Sequence, residues 1–154
     1  MQRVRDINLD DVQDSIKWYY DACTLTNQEE LKEVINSYKK RKVIPIISHL
    51  CVGEAFSSSH LKSQEKLEAF IGLISGLGDH IKIVENDGIE TQLEYVNELF
   101  SNMGFCDKIH LATALRWKCC LLKSRDGDFT GITKEKLDEV ARKCGYECIR
   151  VRKP

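Results

Sequence analysis

The chain has no apolar stretch of membrane-spanning length; its blocks are short, and one of the densest, Val43 to Ile47, is interrupted by Pro45. Its opening residues, MQRVRDINLDD, carry no apolar core behind the basic positions. The sequence therefore predicts no secretory signal peptide and a cytoplasmic protein without membrane attachment. The seven cysteines, Cys23, Cys51, Cys106, Cys119, Cys120, Cys144 and Cys148, are odd in number and nowhere spaced as CxxC. An odd set without a signal argues against a disulfide framework, and a zinc site needs two close pairs, or Cys with His, converging tetrahedrally. These thiols read as small reduced core residues. Repeats and low-complexity linkers are missing. So is an excess of basic charge: 23 Lys and Arg against 24 Asp and Glu leave a formal net charge of −1. That lacks the basic footprint of many nucleic-acid binders, although local patches matter more than totals.

What is present is an ordinary globular composition, 42% hydrophobic and 31% charged over 154 residues. It predicts one domain over 1–154, with 1–15 as an N-terminal extension. Ile16 to Tyr20 reads as a buried strand ending at Asp21. Thr26-Asn27-Gln28-Glu29 has the form of a capping box before a helix that places Leu31, Val34, Ile35 and Tyr38 on one face. Val43 to Ile47 leads through Ser48 into a helix with Leu50, Cys51, Val52 and Phe56 inward. Ser63 caps the next helix, with Leu67, Phe70, Ile71 and Ile74 periodic and Gly76 at its stop. Ile81 to Val84 is a short strand. Asp87 and Glu90 make an Asp-led box for a helix burying Ile89, Leu93, Val96, Phe100 and Met103. Gly104 ends that helix and Asp107 opens DKIHLATALRWK. A strand at Cys119 to Leu122 runs into SRDGDF, and a helix from Thr133 to Cys144 and a strand from Tyr146 to Val151 follow. Strands alternating with helices predict an α/β domain, a three-layer α/β/α arrangement around a mostly parallel twisted sheet.

In such sheets reactive groups gather at the carboxyl ends of strands, beside the topological switch point. Two strands here run into acids, one at Asp21 and one at Asp126 and Asp128. If those strands are neighbours, their carboxylates give a hard divalent cation several oxygen ligands on a rigid frame. Glu54, inside the apolar segment LCVGEAF, and Asp107, at a helix start, sit where they can reach the same end. Each has a plainer reading: Asp107 as a helix cap, Glu54 as a solvent-facing acid, Asp126-Gly127-Asp128 as an acidic turn. Two carboxylates about 5 Å apart repel by roughly 3 kcal/mol at an effective dielectric near 20, and a divalent ion removes that penalty. Around them, Lys123 and Arg125 are placed to touch phosphate or simply to face solvent. His110, three residues after Asp107, shares its helical face. The run Lys39 to Lys42 reads first as a solvated helix end favoured by the dipole.

In chain order, YYDACTL carries Asp21; ISHLCVGEAF carries Ser48 and Glu54; DKIHLATAL carries Asp107; and LLKSRDGDF carries Ser124, Asp126, Asp128 and Phe129. Together these elements resemble the PIN-domain family, with the match spanning roughly Lys17 to Val151. Ser124 stands where Thr is commoner, and Gly53 where a larger residue is usual. The resemblance implies a Mg²⁺- or Mn²⁺-dependent endoribonuclease, in which Asp21, Glu54, Asp107 and Asp126 are the core acids and Asp128 a fifth. Ser124 supports the site by hydrogen bonding. It also implies an RNA substrate, a homodimer and, among VapC-like toxins of the family, an antitoxin protein as partner. The alternative is a non-catalytic PIN-like module that binds RNA or protein.

Overall fold

The computed structural model describes residues 3–11, 16–41, 43–57, 63–124, 129 and 132–153. Apolar β-branched and aromatic runs form the strands β1 (Lys17–Tyr20), β2 (Ile44–Ser48), β3 (Lys82–Val84), β4 (Leu121–Lys123) and β5 (Arg150–Arg152). Between them lie α1 (Ala22–Leu25), α2 (Gln28–Arg41), α3 (His49–Phe56), α4 (Gln64–Leu77), α5 (Glu90–Leu99), α6 (Phe105–Arg116) and α7 (Lys134–Lys143). The five strands make one all-parallel sheet in the order β3-β2-β1-β4-β5, and the fold is a three-layer α/β/α domain. From β1 the chain builds the sheet outward through β2 and β3, then returns to the other side of β1 as β4. The switch point thus falls between β1 and β4, where Tyr19 pairs with Leu122 and Tyr20 with Lys123.

β2 is buried at all five positions although it contains a proline. The Ile44 N–H donates to the Ile16 carbonyl at 2.8 Å. Alternation along the parallel ladder then turns Pro45 towards β3, whose pairing begins only at Ile46, so no ladder bond is forfeited. The core joins Tyr19, Ile46, Ile47 and Leu122 of the sheet to Val34, Val96, Leu111, Leu115 and Val140 of the helices. Val4 and Leu9 are buried in the same core, and the Val4 N–H donates to the Asp79 carbonyl at 3.1 Å.

Several boundaries differ from the sequence-based expectation. Asn27, not Thr26, caps α2: its carboxamide oxygen accepts from the N–H groups of Glu29 and Glu30 at 3.0 and 3.2 Å. Gly76 lies inside α4, which runs on to Leu77. Asp87 caps nothing, because α5 starts after Ile89 with no side-chain cap. Gly104 opens α6 rather than closing α5, which ends at Leu99. Phe56 and Ile71 face outward; Phe56 packs edge-on against the buried Phe70 with ring centroids 5.1 Å apart. The strands expected at Cys119–Leu122 and Tyr146–Val151 begin later, at Leu121 and Arg150.

Leu122 is fully buried between β1 and β5. Leu122→Ala should cost about 2–5 kcal/mol through lost transfer energy and a residual cavity. Urea denaturation will read this as a lower midpoint at unchanged slope; a loss below about 1 kcal/mol would contradict that packing.

Candidate active site

Asp21 is the first residue past β1. Its N–H donates to the Lys123 carbonyl at 3.2 Å, carrying the β1–β4 ladder one step beyond the strands. The Ser124 N–H donates to the Arg152 carbonyl at 2.9 Å, so the residue past β4 is likewise tied to β5. With both backbones fixed, the side chains meet: Ser124 Oγ donates to Asp21 Oδ2. Asp21 Oδ1 accepts from the Cys23 N–H at 3.2 Å and from the Cys23 thiol at 2.6 Å. Asp21 is thereby the N-cap of α1 as well as the acid at the rim.

α3 is moored to the same rim. Ser48, at the end of β2, caps it through the Cys51 N–H at 3.4 Å, and the Cys51 thiol donates to the Tyr20 carbonyl at 3.3 Å. Glu54 stands three residues after Cys51, one turn on along the same side of the helix. Its Oε1 pairs with His110 Nε2 on α6. The other ring nitrogen, Nδ1, lies 2.6 Å from the Tyr19 hydroxyl, which itself lies 2.8 Å from Ser48 Oγ and 3.2 Å from Cys51 Sγ. Burial pulls the His110 pKa down, but hydrogen bonds to Cys51 and Glu54 and the charge of Glu54 outweigh it, pushing the value up to about 10. The raised value favours the protonated ring, whose two nitrogens face Glu54 and the Tyr19 hydroxyl, and burial raises the Tyr19 pKa well above its ordinary value.

Asp107 is the third residue of α6 and is buried. The helix begins two residues before it at Phe105, with Gly104 as the cap, so the capping role expected for Asp107 is not the one it has. It lies one turn before His110 on the same face. A further bridge holds α3 against α6: Asn86, just past β3, accepts from the Leu50 N–H at 2.8 Å and donates to Thr113 Oγ1 at 3.0 Å. Sequence patterning carried no signal for Asn86, one of three polar residues in the run Glu85-Asn86-Asp87. His110 was visible only as a neighbour of Asp107, since its partners are 56 and 91 positions away in the chain.

Asp21 and Ser124 are thus brought together, Glu54 is brought to His110, and Asp107 sits on the helix that carries His110. Arg125, Asp126 and Asp128 lie outside the described residues; in the chain they follow directly on Ser124. Lys123 turns away from the acids: its Nζ pairs with Glu33 at 2.8 Å and lies 5.2 Å above the Trp18 ring. Among the described residues no three His, Cys, Asp or Glu side chains converge as a metal cluster. The oxygen donors of Asp21, Glu54 and Asp107 suit a hard cation such as Mg²⁺ or Mn²⁺.

No protein-family model and no curated protein matches the chain.

The raised His110 pKa has a measurable consequence in metal-free protein. A folded value of about 10 against an ordinary 6.5 means that the folded state holds the proton more tightly, so the stabilisation is full below pH 6.5 and declines as pH rises. Between pH 6.5 and 8, before unfolded thiols ionise, the unfolding free energy should fall by up to about 1.4 kcal/mol per pH unit. His110→Gln should flatten that slope; a variant with the parent's slope would contradict the imidazolium.

Proposed function

We propose that the protein is a divalent-metal-dependent endoribonuclease of the PIN type, hydrolysing RNA phosphodiester bonds at the carboxyl rim of its sheet. The observation that carries this reading is the meeting of Asp21 and Ser124 across the β1–β4 switch point. The LLKSRDGDF segment leaves from that contact, so Asp126 and Asp128 follow in the chain from the partner of Asp21.

Within the proposal Asp21, Glu54, Asp107 and Asp126 hold the ion, Mg²⁺ or Mn²⁺, with Asp128 as a fifth acid and Arg125 on the substrate. When bound, such an ion polarises the scissile phosphate and lowers the pKa of a water. The chain's own groups do the rest. Ser124 and Cys23 fix both oxygens of Asp21, so the carboxylate is set before substrate arrives. His110 fixes Glu54, with Tyr19 behind the ring. In-line attack by water then needs mainly positioning and charge balance, with a carboxylate of the set taking the proton. The family resemblance extends the proposal to a homodimer and, within its toxin branch, to an antitoxin partner.

The test is cleavage of a fluorescent RNA with Mg²⁺ or Mn²⁺ and its loss in EDTA. Asp21→Asn and Asp107→Asn should fold as the parent does and fail to cleave. Ser124→Ala, which removes a supporting hydrogen bond and leaves the acids, should lower activity by about 10- to 100-fold. Full activity in Asp21→Asn, or EDTA-resistant cleavage, would refute the assignment. A parent protein that binds RNA yet never cleaves it would favour the non-catalytic module instead.

A further inference from the structure

Beside the acids the rim changes sign. A cavity of about 300 Å³ opens at the carboxyl ends of β4 and β5, with Lys134, Arg150, Arg152 and Lys153 among its walls, Phe129 among its apolar lining, and Ser124 at its edge. Arg150 is committed to Asp138, with 2.7 Å between Nη1 and Oδ1. Lys134, Arg152 and Lys153 are exposed and form no ion pair among the described residues, although Arg152 donates from Nη1 to the Val151 carbonyl at 3.1 Å. Three cations thus converge on one concavity in a chain whose net charge is −1. Ser124 belongs to both places: it lines the cavity and donates to Asp21.

The geometry points to this cavity as the seat of a backbone phosphate of single-stranded RNA, next along the strand from the phosphodiester placed at Asp21. The inference rests on the proposed nuclease reading and names how that site would hold its substrate. Cations without an ion-pair partner beside the Asp21 carboxylate suit a ligand that carries anionic groups at intervals along a chain, one at that acid and one beyond it. The apolar lining suits a ribose or base, which a free phosphate would leave uncovered. Ser124, which lines the cavity and bonds Asp21, makes the two sites one path.

The experiment measures binding of a fluorescein-labelled single-stranded oligoribonucleotide to the full chain in EDTA, by anisotropy over a range of salt. Cleavage plays no part in this readout, so a failed nuclease reading shows in the cleavage assay and a failed cavity shows here. The variant K134Q/R152Q/K153Q changes exposed positions only. It should weaken binding by about 10-fold or more and reduce the magnitude of the salt slope by about 0.7, the share of one phosphate contact on a single strand. The control K32Q/K39Q/K40Q removes equal charge from α2 and should stay within about two-fold of the parent. Three results would each overturn the proposal: unchanged binding in the cavity variant, an equal loss in the α2 control, or no binding by the parent. Equal competition by a polyglutamate peptide of matched charge would overturn it too, marking the cavity as a seat for acidic peptides.

Discussion

The parallel ladder between β1 and β4 is the constraint on which the rest depends. Those strands are about a hundred residues apart in the chain, yet the ladder continues past both ends through the Asp21 N–H and the Lys123 carbonyl. Because the pairing is in register, the first side chain beyond β1 faces the first beyond β4, and Ser124 reaches Asp21 with no adjustment of either backbone. A slip of one residue would send both side chains to opposite faces of the sheet. Register and site are a single fact.

Behind the rim a second layer of polar groups links the elements. Tyr19 from β1, Ser48 from the end of β2, Cys51 and Glu54 from α3 and His110 from α6 form one hydrogen-bonded set, buried except at Glu54. Such a set is costly when half satisfied and stiffening when every member has a partner. Here the charged ring answers Glu54 on one side and Tyr19 on the other, so an acid that would otherwise swing in solvent is held.

Much of this was readable from the residues alone. Alternating apolar blocks fixed the layer order, and the strand running into Asp21 was placed to within a residue, because dense β-branched and aromatic runs leave little choice of structure. Helix ends were less legible. Asn27 competed with Thr26 and Gly104 with Asp107, since neighbouring polar residues cap about equally well until the backbone is known. The pairing of Glu54 with His110 had no local signal, as contacts across 56 positions depend on how α3 and α6 cross. The cations of the β5 end were hidden differently: Lys134, Arg152 and Lys153 are scattered in the chain, and only the sheet order sets them around one concavity.

Acids and cations therefore divide the carboxyl rim, with Ser124 at their boundary. In the proposed nuclease the acid half gathers around one cation. Anomalous diffraction from a crystal soaked in Mn²⁺ tests this. A peak is expected in direct coordination contact with Asp21 and at least one more of Glu54, Asp107 and Asp126. A fully soaked crystal with no peak there, or with Mn²⁺ bound only elsewhere, would contradict it.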